Sequence, residues 1–162
     1  MKTVLLADDL KFTRVILSRA IRSIEDCEVI EVENGEQALE ALRNNNKIDV
    51  IVTDIMMSPT NGLELLKMVR AGKTAAARDI PYIIVSGAIT EEVQGALNDL
   101  DVSGAIAKPL SKPNLNEAWR EIEKDIKAGG RTMRPVIEYD AIEVSQLLEL
   151  RAFDQARQME IT

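Results

Sequence analysis

The chain has 162 residues, which is enough for one domain with a sizeable core and an appendage of a few dozen residues. A hydrophobic share of 46% with only 3% aromatic residues is typical of an aliphatic α/β core and excludes a disordered chain. The net charge of -7, without any basic stripe, argues against nucleic-acid binding, because phosphate backbones require clustered Lys and Arg.

Two residue counts narrow the chemistry further. The chain contains no histidine, which excludes His-ligated metal sites, Ser-His-Asp triads and a phosphohistidine of its own. The single cysteine, Cys27, cannot form an internal disulfide, as expected in a reducing compartment.

The apolar run before Asp8 is too short for a signal peptide or a membrane span. We therefore expect a cytoplasmic protein.

Apolar runs and stripes with helical spacing alternate along the chain. The runs predict strands at residues 3–7, 27–32, 48–54, 82–85 and 104–107. The stripes predict helices at residues 11–24 and 35–44, and helices that begin near Asn61, near Thr90 and before Leu115. Trp119 lies on the apolar stripe of the last helix and is expected in the core.

The third predicted strand, residues 48–54, is a nearly continuous β-branched run that ends on a charge. Such runs are typical of a central strand that is covered on both faces of a parallel sheet. Asp54 is therefore expected at the carboxyl end of a central strand, where ligands of open α/β sheets bind. An isolated carboxylate there is costly to desolvate, so it requires a metal, a cation or water beside it.

Polar residues follow the apolar run at three of the other predicted strands as well. Alternating strands and helices imply a parallel sheet with right-handed crossovers, which places all the strand ends at one edge. Five side chains from four strands should then converge: Asp8, Asp9, Asp54, Ser86 and Lys108.

This ordered set resembles the receiver domain of two-component response regulators, which carries two adjacent acids, an aspartate, a hydroxyl and a Lys-Pro pair in this order. The resemblance covers about residues 2–126. It implies a flavodoxin-like, doubly wound α/β fold, with a five-stranded parallel sheet of order 2-1-3-4-5 and five helices.

By this resemblance, Asp54 is the phosphoacceptor and takes its phosphoryl group from a histidine kinase or a histidine phosphotransfer protein. Lys108 would pair with a phosphoryl oxygen, and Ser86 would bond another oxygen once Asp54 is phosphorylated. The resemblance also implies a cis Lys108-Pro109 bond. The protein would be no enzyme beyond catalysing its own Mg-dependent phosphorylation and dephosphorylation, and it would act through protein-protein interaction.

The resemblance further implies a Mg²⁺ site. Its ligands would be the carboxylates of Asp8, Asp9 and Asp54 and the backbone carbonyl of Met56. Oxygen ligands are those that Mg²⁺ prefers, and phosphoryl transfer depends mainly on positioning and on neutralisation of charge.

Two residues depart from the family pattern, and no DNA-binding or catalytic output domain is expected after the receiver. Ala105 occupies the position where many receivers carry an aromatic residue that moves on activation. Pro59 comes one position later than usual, after Ser58. Met56 and Ala88 offer no side-chain group that polarises an attacking water, so we expect a long-lived phosphoryl group.

Residues after 127 extend beyond the predicted receiver domain, residues 1–127. Residues 128–139 are expected to be a linker that stops the last helix, and residues 140–162 a helical extension capped by Asp140. Leu147, Leu148 and Phe153 make that helix too apolar to stay free in solvent. We favour self-association or partner docking over packing against its own receiver.

Other interpretations fit the residues less well. Asp8 and Asp9 could cap the first helix, and Lys108 could be a solvated surface residue, but this leaves the combined pattern unexplained. A phosphatase of the haloacid dehalogenase type needs a second acid where this chain has Met56. A flavin binder needs a phosphate-binding loop, and none is evident in the sequence. A phosphorylation-independent scaffold or dimerisation module is the main alternative.

Overall fold

The computed structural model describes residues 1–45, 47–145 and 147. Strands and helices alternate from the N-terminus, as the apolar runs predict. In chain order the elements are β1 (Lys2–Ala7), α1 (Lys11–Ile24), β2 (Cys27–Val32), α2 (Gly35–Asn44), β3 (Val50–Thr53), α3 (Gly62–Arg70), β4 (Tyr82–Ser86), α4 (Glu91–Asp99), β5 (Gly104–Ala107), α5 (Lys112–Lys127) and α6 (Val136–Asp140).

The strands form one parallel sheet of order β2-β1-β3-β4-β5, which confirms the predicted topology. Every residue of β3 is buried, as expected for a central strand of a sheet that is covered on both faces. β3 is shorter than predicted and ends at Thr53, so Asp54 is the first residue beyond it. β4 is one residue longer than predicted and ends on Ser86.

Helices cover both faces of the sheet. On one face, α1 and α5 pack against the strands through Leu17, Ile21, Trp119 and other apolar side chains. Trp119 is buried there, as predicted, and its indole N–H donates to Glu25 at 3.0 Å. On the other face, α2, α3 and α4 enclose a second core cluster, and Tyr139 of α6 belongs to the same cluster.

The segment after α5 differs from the prediction of a linker. α5 ends where predicted, since Gly129 and Gly130 adopt φ values of 84° and 102° that favour glycine at a helix end. Residues 136–140, however, form α6, so Asp140 lies at the end of a helix and does not cap a new one. The aromatic ring of Tyr139 explains the difference, because it is fully buried against the receiver.

Residues 131–144, here called the tail segment, pack within the chain. Arg134 donates to the carboxylate of Asp101 at 3.1 Å, Tyr139 donates to it at 2.8 Å, and Val144 joins the core cluster. The tail segment therefore packs against its own receiver, which is the arrangement that the sequence favours less. Leu148, Leu150 and Phe153 lie outside the described residues, and dimerisation through them stays a prediction. No helix of the described residues is long and apolar enough to cross a membrane.

Candidate functional site

Three carboxylates meet at the carboxyl edge of the sheet. Asp8 and Asp9 follow β1, and Asp54 follows the neighbouring strand β3. Each offers one oxygen, and these oxygens all lie within 4.8 Å of one another. Asp8 is fully buried, Asp54 is 7% exposed and Asp9 is open to solvent. The predicted convergence of the three acids is therefore present in the structure.

Lys108 reaches the same cluster from the end of β5. Its Nζ lies 2.8 Å from Oδ2 of Asp54 and 3.1 Å from Oδ2 of Asp8. Although burial would lower the pKa of Lys108, the hydrogen bonds and charges of Asp54 and Asp8 raise it, so the amine stays protonated. The following peptide bond to Pro109 is cis, as the family resemblance implies.

Asp8 is held from two sides and is not a helix cap. Its Oδ1 accepts the N–H of Leu10 at 2.9 Å, and its backbone carbonyl accepts a bond from Nη1 of Arg14 at 2.6 Å. α1 itself begins without a side-chain capping bond. Burial raises the pKa of Asp8, and the bonds from Leu10 and Lys108 only partly oppose this effect. A further cation at this position would lower the cost of that buried charge.

The carboxylate of Asp54 is oriented by its own loop. Oδ1 accepts the backbone N–H groups of Ile55 at 2.6 Å and Met56 at 3.3 Å. Oδ2 is the oxygen that contacts Lys108. The two oxygens therefore have separate partners, one in the loop and one in the acidic cluster.

Ser86 lies at the neighbouring strand end. Its backbone carbonyl accepts the N–H of Lys108 at 3.0 Å, which joins the ends of β4 and β5. Its Oγ accepts the N–H of Ala88 at 3.1 Å, so in this structure the hydroxyl belongs to its own loop. The structure therefore places Ser86 at the predicted edge, with its hydroxyl engaged locally.

The donor set fits a hard divalent cation. Three carboxylates face one lysine, which leaves excess negative charge, and all the available side-chain ligands are oxygens. Mg²⁺ prefers this chemistry and keeps several of its waters, so it does not need a complete protein cage. Met56 lies in the loop after Asp54, and its backbone N–H contacts Oδ1 of Asp54 at 3.3 Å.

One residue of the site is missing from the sequence interpretation. Arg14 is largely buried and holds the turn that carries Asp8, while its Nε lies 3.7 Å from Glu31 of β2. The sequence does contain an indication of this role, because Arg14 lies on the same side of α1 as the buried Leu17 and Ile21. A charge on an apolar helix stripe indicates a polar partner nearby.

Comparison with known proteins agrees with this geometry. The family model for the response regulator receiver domain matches residues 4–120. A protein of Campylobacter jejuni described as a chemotaxis protein CheY homolog is 34% identical over 123 residues, covering 74% of this chain and 90% of its own length.

Solved structures show the same fold. A signal receiver domain of a two-component histidine kinase from Clostridium thermocellum has a TM-score of 0.66 and 27% identity, covering 76% of this chain and 98% of that one. The receiver domain of a sensor histidine kinase from Pseudomonas aeruginosa, with a magnesium ion in its active-site cleft, has a TM-score of 0.62 and 22% identity, covering 75% of this chain and 98% of that one.

These matches define the class: the chain belongs to the response regulator receiver domain family. It is accordingly a receiver protein of two-component signal transduction. Receivers of this family bind Mg²⁺ at an acidic site and take phosphoryl groups from histidine kinases or phosphotransfer proteins.

Proposed function

We propose that Asp54 accepts the phosphoryl group in this chain. The observation that carries the proposal is the position of Lys108, whose amine lies between Oδ2 of Asp54 and Oδ2 of Asp8. A lysine held there can exchange a carboxylate partner for a phosphoryl oxygen without leaving the site. In the same proposal, Asp8, Asp9, Asp54 and the carbonyl of Met56 hold Mg²⁺.

The transfer uses few groups of the protein. Oδ2 of Asp54 bonds to phosphorus as the phosphorus–nitrogen bond of a phosphohistidine breaks, and the imidazole leaves with the bond's electron pair. Bound Mg²⁺ supplies charge neutralisation for the phosphoryl oxygens. Lys108 then pairs with one of these oxygens. The hydroxyl of Ser86 leaves the N–H of Ala88 and donates to another.

The donor has an exposed apolar surface to contact. Leu10, Phe12 and Ile16, here called the apolar α1 surface, are 58%, 77% and 44% exposed. Phe12 and Ile16 are one helical turn apart and therefore share a side of α1, and Leu10 is adjacent to Asp9. Exposed apolar residues beside a charged site indicate protein docking. We propose that the kinase or phosphotransfer protein binds here.

The output is proposed to be protein-protein interaction rather than catalysis on another substrate. In this proposal the site catalyses its own phosphorylation and the loss of that group. Signalling would then follow from movement of Ser86 and the loop that leads into α4.

Phosphorylation with a small donor tests the proposal. Incubated with Mg²⁺ and acetyl phosphate or a phosphoramidate, the full chain should gain one phosphoryl group by mass spectrometry, and Asp54→Asn should gain none. Asp79→Asn, which changes an aspartate away from the acidic cluster, is the matched control and should behave as the wild type. A wild-type chain that gains no phosphoryl group would instead support the scaffold function.

A second variant separates docking from chemistry. Phe12→Ser should slow transfer from a histidine phosphotransfer protein by about tenfold, because exposed aromatic residues often dominate a docking surface. The same variant should react with acetyl phosphate at the wild-type rate. An equal slowing with both donors would contradict docking at the apolar α1 surface.

A further inference from the structure

A buried tyrosine lies behind the phosphoacceptor strand. Tyr82, the first residue of β4, is fully buried, and its hydroxyl donates to the backbone carbonyl of Gly62 at 3.1 Å. The same oxygen lies 3.0 Å from Oγ1 of Thr53. Because the only phenolic proton is directed at Gly62, the hydroxyl of Thr53 is the donor of this second bond.

These two contacts join the ends of one loop. Thr53 immediately precedes Asp54, and Gly62 opens α3 after the loop of residues 55–61. The loop ends also touch directly, since the N–H of Gly62 donates to the carbonyl of Ile55 at 2.9 Å. A Cβ at Gly62 would clash with the backbone carbonyl oxygen of Asp54. The base of the loop is therefore closed by backbone contact and by Tyr82.

The loop in turn sets the geometry of the acidic cluster. Its first two N–H groups, from Ile55 and Met56, hold Oδ1 of Asp54, which leaves Oδ2 for Lys108. It also carries the backbone carbonyl of Met56, a proposed ligand of Mg²⁺. A shift at the base of the loop would therefore move two metal ligands together.

We propose that Tyr82 is a positioning residue, whose hydroxyl fixes the loop after Asp54 so that Asp54 and Met56 present their oxygens to Mg²⁺. This inference rests on the proposed function and deepens it. Groups that orient metal ligands without touching the metal commonly change metal affinity by tenfold or more.

The core alone does not explain the hydroxyl. Ile84, the other β4 residue in the same cluster, is apolar, and a phenylalanine ring at position 82 would fill the same volume without a polar atom to desolvate. Burial also raises the pKa of Tyr82, so the phenol remains a neutral donor across the working pH range. The phenol therefore keeps the proton that it donates to Gly62.

The test is Mg²⁺ affinity, measured by titration calorimetry on the full chain, together with the Mg²⁺ dependence of phosphorylation by acetyl phosphate. Tyr82→Phe should weaken Mg²⁺ binding by about tenfold. Its phosphorylation should be slow at low Mg²⁺ and should recover at saturating Mg²⁺. A residue that only supports the fold would lower stability without shifting this Mg²⁺ dependence.

Tyr139 supplies a matched control. It is also fully buried, and its hydroxyl is also hydrogen-bonded, but to Asp101 and not to the loop after Asp54. Tyr139→Phe removes the same atom and should leave Mg²⁺ affinity unchanged. An equal loss of affinity in Tyr139→Phe and Tyr82→Phe would show general softening of the fold and would overturn the proposal.

Variants of Thr53 test the hydrogen bond between Thr53 and Tyr82 from its other partner. Thr53→Val should weaken Mg²⁺ binding, Thr53→Ser should not, and the double variant Tyr82→Phe/Thr53→Val should lose less than the sum of the two single losses. If Tyr82→Phe does not fold, the comparison of Thr53→Val with Thr53→Ser tests the proposal by itself. Wild-type affinity in both Tyr82→Phe and Thr53→Val overturns the proposal, whereas a wild-type chain that is never phosphorylated overturns the proposed function itself.

Discussion

The two edges of the sheet handle charge in opposite ways. At the carboxyl edge, Asp8, Asp9 and Asp54 form a cluster in which Lys108 pairs with Asp8 and Asp54. At the amino edge, the carboxylate of Asp101 receives bonds from Arg134 and Tyr139. The guanidinium groups of Arg70 and Arg131 donate to its backbone carbonyl as well. The acidic cluster at the carboxyl edge therefore has more carboxylates than paired cations, whereas Asp101 at the amino edge is surrounded by arginines.

The pKa values follow this difference. Burial raises the pKa of Asp8, because its hydrogen bonds do not offset the desolvation of its charge. Burial would also raise the pKa of Asp101, but the bonds and charges of Arg134, Tyr139 and Arg70 lower it below its ordinary value. The carboxyl edge is thus built to receive a cation, and the amino edge is built to hold the tail segment in place.

The largest expected effect that separates the edges comes from Asp101→Asn. At pH 7 this change should lower the free energy of unfolding by about 2 kcal/mol, because Arg134 and Tyr139 lose a charged acceptor and keep only a neutral amide oxygen. Asparagine tolerates the φ of 54° at this position, so the backbone itself should not be strained. Denaturant unfolding of both proteins measures the difference.

The pH dependence of that difference has a defined sign. Since the pKa of Asp101 is lowered in the folded protein, its contribution is present above the ordinary value of 3.8 and is lost as the pH falls through the folded-state pKa. The wild type and Asp101→Asn should therefore converge in stability at acid pH. A gap that stays constant down to pH 2 would show that packing, and not charge, holds the tail segment.

Asp8→Asn should act in the opposite direction. Without metal it should raise the free energy of unfolding by about 1 kcal/mol, because it removes a fully buried charge while keeping an acceptor for Leu10. With Mg²⁺ the wild type should gain stability and Asp8→Asn should not.

Thermal unfolding in the presence of a chelator, and then with added Mg²⁺, measures both parts of this prediction. Asp9→Asn is the control for burial, because the exposed Asp9 pays little desolvation and its loss should leave metal-free stability nearly unchanged. If Asp8→Asn is less stable than the wild type without metal, the charge of Asp8 stabilises the fold as that of Asp101 does. The proposed contrast between the two edges would then be wrong.

The sequence predicts the carboxyl edge well for a physical reason. Parallel strands with right-handed crossovers bring all their carboxyl ends together, so the first polar residue after each apolar run is enough to place Asp8, Asp54 and Lys108. The alternation of strands and helices follows from the hydrophobic periodicity, whereas the sheet order is implied by the family resemblance. Ser86 is also predicted at this edge, and the structure differs only in extending β4 by one residue to include it.

The amino edge is harder to predict, because its contacts connect residues without a shared pattern. Asp101 and Tyr139 are 38 positions apart, and nothing in the tail segment indicates which turn receives its arginines. Gly129, Gly130 and Pro135 favour a linker locally, and only burial of the Tyr139 ring reveals the docked helix. Tyr82 is hidden for a related reason, since its β-strand pattern describes an apolar core position and not the hydroxyl's partners.

The smallest expected effect concerns the lifetime of the phosphoryl group at the carboxyl edge. Met56 is partly buried two residues after Asp54, and the buried Ala88 lies two residues after Ser86. Neither side chain can orient an attacking water. Met56→Asn should accelerate loss of the phosphoryl group by about threefold, below the hundredfold or more of a positioned acid or base, because an amide only orients the water.

Decay of the phosphorylated protein after removal of the donor measures this rate. Met56→Leu keeps the side chain apolar and should decay at the wild-type rate, which separates the amide from a change in loop packing. Since the proposed metal ligand at this position is the backbone carbonyl, Mg²⁺ affinity should stay the same in both variants. Unchanged decay in Met56→Asn would mean that the excess negative charge of this edge, rather than the lack of a water-orienting group, sets the lifetime.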